Sequence, residues 1–178
     1  MGRDLSPKRA RDSRVTLTQM MEVTDANFAG NVHGGAIMRL VDTAAGLAAI
    51  KHAGGLAVTV AIDEMTFLEP VNIGDVVTLH ASVNDVGTSS MECGVRVEAM
   101  NPVTGRHVHA NSAYLVFVAI DQDGHPCPVP PLITESELEK RRQREAKLRR
   151  EARLAHKVAV QASRAAEAAA PASTDATD

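Results

Sequence analysis

The sequence predicts an α+β fold in which an antiparallel sheet wraps around one long, buried helix. The helix is predicted because residues 36–50 are apolar on nearly every side, a pattern typical of helices buried within a protein. The sheet is predicted because residues 57–120 form four apolar segments separated by short turns. A helix packed on a sheet buries both apolar surfaces. With 178 residues and 44% hydrophobic content, the chain is large enough for one such domain with extensions.

The segments on either side of the helix define the domain. Residues 1–14 carry five basic and two acidic side chains without apolar periodicity, which predicts a flexible basic arm. A first strand is predicted from Val15 to about Val23. The later strands are predicted over residues 57–68, with a bulge near residues 63–64, and over residues 76–86, 91–100 and 107–120. The domain is thus predicted to span residues 15–132, since the proline-rich residues 125–131 end it.

A charged helical extension is predicted over residues 133–164. Residues 134–164 hold ten basic and five acidic side chains without glycine or proline, and Ser136, or Thr134 with Glu137, is the expected cap. The apolar stripe of this segment is thin, which predicts a mobile or surface-packed helix. Residues 165–178, rich in Ala, Ser, Thr and Asp, are predicted to be disordered.

Composition argues against several functional classes. The formal net charge of −3 gives no overall signature of nucleic-acid binding, and the interspersed glutamates of residues 134–164 favour a solvated face. The apolar helix contains Arg39 and Asp42 and is too short to cross a bilayer. The N-terminus lacks the apolar core of a signal peptide, so a cytoplasmic protein is expected.

The cysteines and histidines do not suggest a metal or a disulfide framework. Two cysteines are too few for such a framework, and Cys93 alternates with apolar strand residues, which indicates a core residue instead of a nucleophile. His107 and His109 would share a strand face, but no third ligand is evident. No metal site is therefore predicted.

Asp42 is the anomaly of the helix, because burying a carboxylate is costly unless it is paired or takes part in chemistry. Gly34 and Gly35 begin the helix, with Asn31 as the expected N-cap. Glycines let a ligand approach free N–H groups at the positive end of the helix dipole, as in an oxyanion hole. Asp42 lies about 10 Å further along the axis, so one helix cannot easily present both groups to one carbonyl. Two antiparallel helices related by a twofold axis can, which predicts a site shared between subunits.

Residues 25–38, DANFAGNVHGGAIM, followed by Asp42, resemble the signature of hotdog-fold acyl-CoA thioesterases, and most closely that of the cytosolic acyl-CoA hydrolase branch. The resemblance continues through residues 58–61, 67–75, 86–91 and 117–120, and it covers residues 15–132. It implies an acyl-CoA hydrolase of fatty acid metabolism that needs no cofactor beyond the coenzyme A of its substrate. It also implies a homodimer, commonly assembled as a hexamer of three dimers.

The resemblance also implies roles for individual residues. Asp42 would act as general base on water or as nucleophile on the thioester. Asn27, from the partner subunit, would orient the water or the carbonyl, and the backbone N–H of Gly35 would polarise the thioester oxygen. Contacts to coenzyme A or substrate are expected from Gly34, Thr59, Val60, Gly87, Thr88, Ser89 and Ser90. An acyl pocket is expected at Met38, Met65 and Phe67.

Structural interpretations of the same residues remain open. Asp42 can pair with Arg39, Asn27 can make an Asx turn, and the two glycines can serve close packing of helix on strand. His33 is interpreted as a loop or interface residue. Two other functions also remain: a hotdog acyl-CoA hydratase or dehydratase, which usually relies on a catalytic histidine near an aspartate, and a non-catalytic acyl-CoA sensor that reports through the basic C-terminal helix. The joint presence of Asp42 and Asn27 argues against a sensor.

Overall fold

A five-stranded antiparallel sheet packed on one long helix forms the centre of the fold. The computed structural model describes residues 3–169. The elements are β1 Lys8–Arg9, β2 Val15–Met20, α1 Gly34–Ala53, β3 Ala57–Phe67, β4 Val76–Val86, β5 Ser90–Met100, β6 His107–Ala119, β7 Leu132–Ile133 and α2 Glu137–Ala169. The sheet has the strand order β2-β4-β5-β6-β3, and α1 contacts all five strands. The predicted hotdog arrangement is confirmed.

Helix α1 is buried along one stripe. The buried residues recur every three or four positions, and five of them are alanines, which allow the sheet to approach closely: Ile37, Leu40, Val41, Ala44, Ala45, Ala48, Ala49, His52 and Ala53. Met38, Asp42 and Leu47 lie outside this stripe and are exposed. The prediction of a helix buried on nearly every side is therefore wrong for the isolated chain. The sheet covers one face of α1, and no second layer among residues 3–169 covers the other.

The strands after α1 follow the predicted boundaries to within one residue. The register between β3 and β6 shifts twice, between Thr59 and Ala61 and between Ile62 and Glu64. The second shift confirms the bulge predicted near residues 63–64, and the first is a bulge that the alternation did not indicate. Because β6 is the one strand of the sheet paired with β3, β3 forms an edge.

The N-terminal segment packs against the domain. Strand β1 pairs in parallel with β7, and the 3₁₀ turn Ala10–Ser13 buries both Ala10 and Ser13. Arg9 and Arg11 each form an ion pair with Glu135. The expected flexible arm is therefore wrong for residues 8–13. Two-residue strands carry too little periodicity to be detected, and the pairing of β1 with β7 joins segments more than 120 residues apart.

Helix α2 begins at a capping box. Ser136 Oγ accepts a hydrogen bond from the Glu139 N–H at 3.2 Å, and the Glu139 carboxylate accepts from the Ser136 N–H at 3.1 Å. This confirms Ser136 as the cap, with Glu139 as the partner residue. The helix continues to Ala169, so the predicted disorder is wrong for residues 165–169, while residues 170–178 lie outside the described part of the chain.

Polar contacts attach α2 to the face of the sheet opposite α1. Arg149 pairs with the buried Glu92 of β5 at 2.6 Å, and Arg153 pairs with Asp63 of β3. The Arg149 guanidinium also lies 3.6 Å from the centroid of the Tyr114 ring. Leu148, part of the thin apolar stripe seen in the sequence, is exposed. The helix is thus surface-packed through charge pairs, and among residues 3–169 neither long helix is apolar enough to cross a membrane.

Candidate active site

Asp42 and Thr59 form a direct hydrogen bond between α1 and the edge strand β3. The Thr59 hydroxyl donates to Asp42 Oδ1 at 2.6 Å, a short distance typical of a hydroxyl bonded to a carboxylate. The bulge at Val60 follows Thr59 directly and locally changes the direction of the strand. Both side chains are exposed on the isolated chain. The expectation that Asp42 is buried is therefore wrong for the isolated chain. The carboxylate is therefore oriented by one hydroxyl and open to an incoming group.

The first turn of α1 is capped by a histidine. His33 Nδ1 accepts a hydrogen bond from the Gly35 N–H at 2.8 Å, and the His33 backbone carbonyl accepts from Ala36 at 2.9 Å. Asn31, the expected N-cap, lies two residues before the observed cap, and its backbone pairs with Asn72 instead. The usual preference for short oxygen-bearing caps does not indicate histidine. The Gly35 N–H is therefore already hydrogen-bonded. It can bind a ligand only if the His33 ring moves away.

Asn27 is held in the loop that precedes α1. Its side-chain oxygen accepts from the Ala29 N–H at 2.8 Å, and its amide nitrogen donates to Asn31 Oδ1 at 2.5 Å. The first bond is the Asx turn anticipated as a structural alternative. Phe28, the next residue, is fully exposed. The loop thus fixes the Asn27 side chain while presenting an apolar group to the outside.

A cleft of about 300 Å³ lies beside this loop and the N-terminus of α1. Phe67 contributes its ring to the wall, and a Cβ on Gly34 would lie 3.4 Å from that ring. The lining residues are Asn27, Asn31, Val32, Gly34, Ile37, Phe67, Leu68, Glu69, Pro70, Val71 and Asn111. Of the three residues expected to form an acyl pocket, Phe67 lines this cleft, whereas Met38 and Met65 do not.

One chain does not bring all the expected residues together. Asn27 and Gly34 line the cleft, whereas Asp42 and Thr59 lie outside it. Apolar side chains are exposed along the edge strand and on the uncovered face of α1: Val58, Val60, Ile62, Met38 and Leu47. An edge strand with exposed apolar groups is suited to pairing with another chain.

The turn between β4 and β5 lies next to a basic part of α2. A Cβ on Gly87 would lie 2.9 Å from both terminal nitrogens of the Arg150 guanidinium and 2.7 Å from Ser90 Oγ. Arg150 and Lys147 line one cleft of about 470 Å³, together with the carboxylates of Asp85 and Glu151. Within residues 3–169, neither basic residue has an ion-pair partner. Sequence reasoning did not single out Arg150, because nothing in a charged helix distinguishes the residue that faces the turn.

The remaining residues of the turn act through their backbone. The Thr88 carbonyl accepts from the Val129 N–H, and the Ser89 carbonyl accepts from the Ala119 N–H. These bonds hold the turn between β6 and the proline-rich segment. Its hydroxyl groups remain at or near the surface.

Cys93 and the turn formed by residues 121–125, which follows β6, have structural roles in the domain. Cys93 is completely buried, and burial raises the pKa of its thiol far above the usual range, which confirms a core residue. Asp121, Asp123 and His125 place their ligand atoms within 4.8 Å of one another on an exposed turn. The Asp121 carboxylate accepts from the backbone N–H groups of Asp123 and His125, so it stabilises the turn itself.

Comparisons with known proteins show the family to which the chain is similar. The family model described as the thioesterase superfamily matches residues 29–105. An uncharacterized acyl-CoA thioester hydrolase of Bacillus subtilis is 36% identical over 129 residues, which cover 72% of this chain and 75% of that protein. The cytosolic acyl coenzyme A thioester hydrolase of Rattus norvegicus is 34% identical over 144 residues, which cover 79% of this chain and 38% of that protein.

Solved structures are similar over most of the chain. An acyl-CoA hydrolase from Staphylococcus aureus, in complex with butyryl coenzyme A, coenzyme A and coenzyme A disulfide, has a TM-score of 0.82 and 32% identity, covering 91% of this chain and 99% of that one. A hexameric acyl-CoA thioesterase in its apo form has a TM-score of 0.82 and 34% identity, covering 85% of this chain and 97% of that one. The S. aureus enzyme has also been solved with an asparagine, an aspartate or a threonine replaced by alanine.

The fold and the matching family model define a hotdog-fold thioesterase. Within the thioesterase superfamily, the chain belongs to the acyl-CoA thioester hydrolases, since its identity to members of that group extends over three quarters of a relative.

Proposed function

We propose that this protein hydrolyses acyl-CoA thioesters to a free carboxylic acid and coenzyme A, and that it does so in the cytoplasm. The observation that carries the proposal is the Asp42 carboxylate oriented by Thr59 in a chain of this family. The three residues replaced in the S. aureus hydrolase, an asparagine, an aspartate and a threonine, are spaced in the chain as Asn27, Asp42 and Thr59 are. The match in type and spacing supports a shared role.

In the proposed reaction, Asp42 acts as general base or as nucleophile. As a base, it removes a proton from water while the water oxygen attacks the thioester carbonyl, and the C–S bond then breaks to release coenzyme A as its thiol. As a nucleophile, its carboxylate oxygen attacks the carbonyl and the C–S bond breaks, which releases coenzyme A and leaves an anhydride. Water then cleaves the anhydride to the free acid and the Asp42 carboxyl group, whose proton passes to the coenzyme A thiolate. A thioester is reactive enough for one carboxylate and a polarising dipole to suffice, and general-base assistance contributes about 10²- to 10⁴-fold.

Asn27 and the N-terminus of α1 are proposed to act on the same thioester from a second subunit. Asn27 orients the water or the carbonyl, and the Gly35 N–H polarises the thioester oxygen once the His33 ring moves aside. The separation along one helix, about 10 Å between Gly35 and Asp42, favours this division between chains. An isologous dimer then contains two equivalent sites.

The edge strand β3 is the proposed dimer contact. Val58, Val60 and Ile62 are exposed along it, and pairing two copies of this edge would cover them together with the open face of α1. Further assembly into a hexamer of three dimers is proposed because relatives of this family are hexameric. Burial of Asp42 would then come from the partner chain.

The coenzyme A moiety is proposed to lie at the turn formed by residues 87–90. Arg150, pressed against Gly87 and without an ion-pair partner among the described residues, is placed to neutralise a phosphate there. Lys147 lines the same cleft. This assigns α2 a role in substrate binding that its sequence does not suggest.

The thioesterase is favoured over the hydratase because the hydrogen-bond partner of Asp42 among the described residues is Thr59 and not a histidine. The first experiment measures thiol release from short, medium and long acyl-CoAs by wild type, Asp42→Asn and Asn27→Ala, with assembly checked by light scattering. Hydrolysis that falls at least about 10²-fold in Asp42→Asn without loss of assembly supports the proposal. Tight binding of an acyl-CoA without cleavage rejects it in favour of a sensor.

A further inference from the structure

Asn31 lies four residues after Asn27 and contacts its side chain directly. The Asn27 amide nitrogen donates to Asn31 Oδ1 at 2.5 Å, and the Asn27 backbone N–H donates to the Asn31 carbonyl at 2.8 Å. Both residues are partly buried, and both line the cleft beside the N-terminus of α1. Asn31 is thus the immediate neighbour of a residue proposed to act on the thioester.

The hydrogen bonds of this loop determine which atom each amide presents. The Ala29 N–H can only donate, so the Asn27 atom that it contacts at 2.8 Å is the oxygen. The Asn27 amide nitrogen then faces Asn31, and the Asn31 atom that accepts from it is the oxygen. Asn31 therefore serves as an acceptor, a role that an aspartate can also fill and an alanine cannot.

The two bonds fix the rotation of the Asn27 amide. The terminal torsion of an asparagine side chain has only a weak preference of its own. With Ala29 bonded to the oxygen and Asn31 bonded to the nitrogen, the amide cannot turn over without breaking both bonds. The second N–H of the Asn27 amide and one lone pair of its oxygen remain for a substrate or a water. Without Asn31, the bond from Ala29 alone would hold the amide.

The Asn31 side chain is available for this contact because another residue caps α1. His33 accepts the hydrogen bond from the Gly35 N–H that an N-cap asparagine would accept. We propose that Asn31 is a positioning residue of the active site, which holds the Asn27 amide in the orientation that thioester hydrolysis requires. Asn31 acts through Asn27 and does not itself act on the thioester. The inference rests on the proposed function and adds a residue to it.

The test measures kcat and KM for the acyl-CoA that wild type hydrolyses fastest. Asn31→Ala should lower kcat by about tenfold or more with little change in KM, because a small displacement of a positioned group costs up to about 10²-fold. Asn31→Asp should recover most of that loss, because a carboxylate oxygen accepts the same bond. The matched control is Asn72→Ala, which should keep the wild-type kcat. The Asn72 backbone pairs with Asn31, but its side chain contacts Asp75 and does not line the cleft.

A double-mutant cycle with Asn27→Ala distinguishes positioning from a general effect on the loop. If Asn31 acts through the Asn27 amide, the double variant should have the same kcat as Asn27→Ala alone. A structural role would lower kcat by the same factor in both backgrounds. Thermal unfolding and light scattering check that each variant folds and assembles. If Asn31→Ala does not fold, Asn31→Ser replaces it, since its side chain is too short to hold the Asn27 amide in place.

Three outcomes overturn the inference: equal kcat in wild type and Asn31→Ala, independent effects in the cycle, and an Asn31→Asp variant no more active than Asn31→Ala. Failure of the proposed function has a different signature. If wild type hydrolyses no acyl-CoA, or if Asn27→Ala keeps the wild-type kcat, the proposed role of Asn27 is wrong and the inference fails with it. If Asn27→Ala lowers kcat and Asn31→Ala does not, the role of Asn31 alone is refuted.

Discussion

Thr59 donates a 2.6 Å hydrogen bond to Asp42 and thereby joins the open face of α1 to the edge strand β3. The two elements meet where β3 bulges, and both lie on the surface expected to contact a second chain. A carboxylate held by a hydroxyl keeps one orientation while its other lone pairs remain available to water. This contact therefore supplies positioning for the proposed chemistry.

Replacing Thr59 by valine tests that positioning. Thr59→Val should lower kcat by about tenfold or more, because a hydrogen bond to a charged group contributes about 1.5–3 kcal/mol. Thr59→Ser should retain most of the activity. The matched control is Thr43→Val, which removes a neighbouring hydroxyl that donates to the Arg39 carbonyl. If Thr59→Val and Thr43→Val have equal kcat, Thr59 does not position the carboxylate.

Two glycines of α1 should respond in opposite ways to alanine. A Cβ on Gly35 would lie 2.9 Å from His33 Nδ1 and would displace the cap, so Gly35→Ala should lower the free energy of unfolding by about 1 kcal/mol. A Cβ on Gly46 would lie 3.5 Å from the Phe117 ring, which is an ordinary contact. Because alanine favours a helix more than glycine does, Gly46→Ala should raise the free energy of unfolding by up to about 1 kcal/mol. Urea unfolding at one protein concentration measures both. Stabilisation by Gly35→Ala would contradict the capping role of His33.

The buried ion pair on the outer face should hold α2 in place. Arg149→Met leaves the Glu92 carboxylate buried without its partner and should cost about 2 kcal/mol of unfolding free energy. Adding Glu92→Gln should recover part of that loss, since the unpaired charge is then removed. A double-mutant cycle in urea measures the coupling. Arg144→Met, at an exposed position of the same helix, serves as control. If the effects of Arg149→Met and Glu92→Gln on the free energy of unfolding are additive, the two residues do not form a direct pair.

Arg150 should affect substrates that carry phosphates. Arg150→Ala should raise KM for acyl-CoA by roughly tenfold, as expected for loss of one charge-assisted contact. It should leave the hydrolysis of an acyl N-acetylcysteamine thioester unchanged, because that substrate has no phosphate. Arg144→Ala is again the control. An equal rise in KM for both thioesters would assign Arg150 a structural role.

His52 should make stability depend on pH. Its Nε2 bonds the Pro130 carbonyl at 2.9 Å, while Nδ1 is buried without a partner among the described residues. Burial, the main cause, lowers the pKa of His52 below the usual 6.5. The unfolded chain then binds a proton that the folded chain does not, so the stability present above about pH 6.5 is lost as pH falls through the folded pKa.

The His52→Gln variant isolates this effect. Glutamine keeps a donor for the Pro130 carbonyl and has no titrating group, so its unfolding free energy should change less between pH 7 and pH 5. Urea unfolding across that range measures the difference. Identical pH dependence in wild type and His52→Gln would show that other groups carry it.

Local patterns in the sequence predicted most of the secondary structure around α1. The four strands after α1 and the bulge near residue 63 follow from β-branched alternation and turn residues, which are local properties of the chain. Asp42 and the paired glycines were also visible in the sequence, because a charge and two flexible residues interrupt an apolar run.

Only the tertiary structure decided the contacts between distant segments. The pairing of β1 with β7, the packing of α2 through Arg149 and the approach of Arg150 to Gly87 depend on long-range geometry that no local pattern contains. The structure also showed that α1 is covered on one face, which the sequence could not distinguish from full burial. An apolar side chain gains the same kind of stabilisation whether its own sheet or a second chain buries it. Hydrophobicity therefore determines that a face is covered but not which surface covers it.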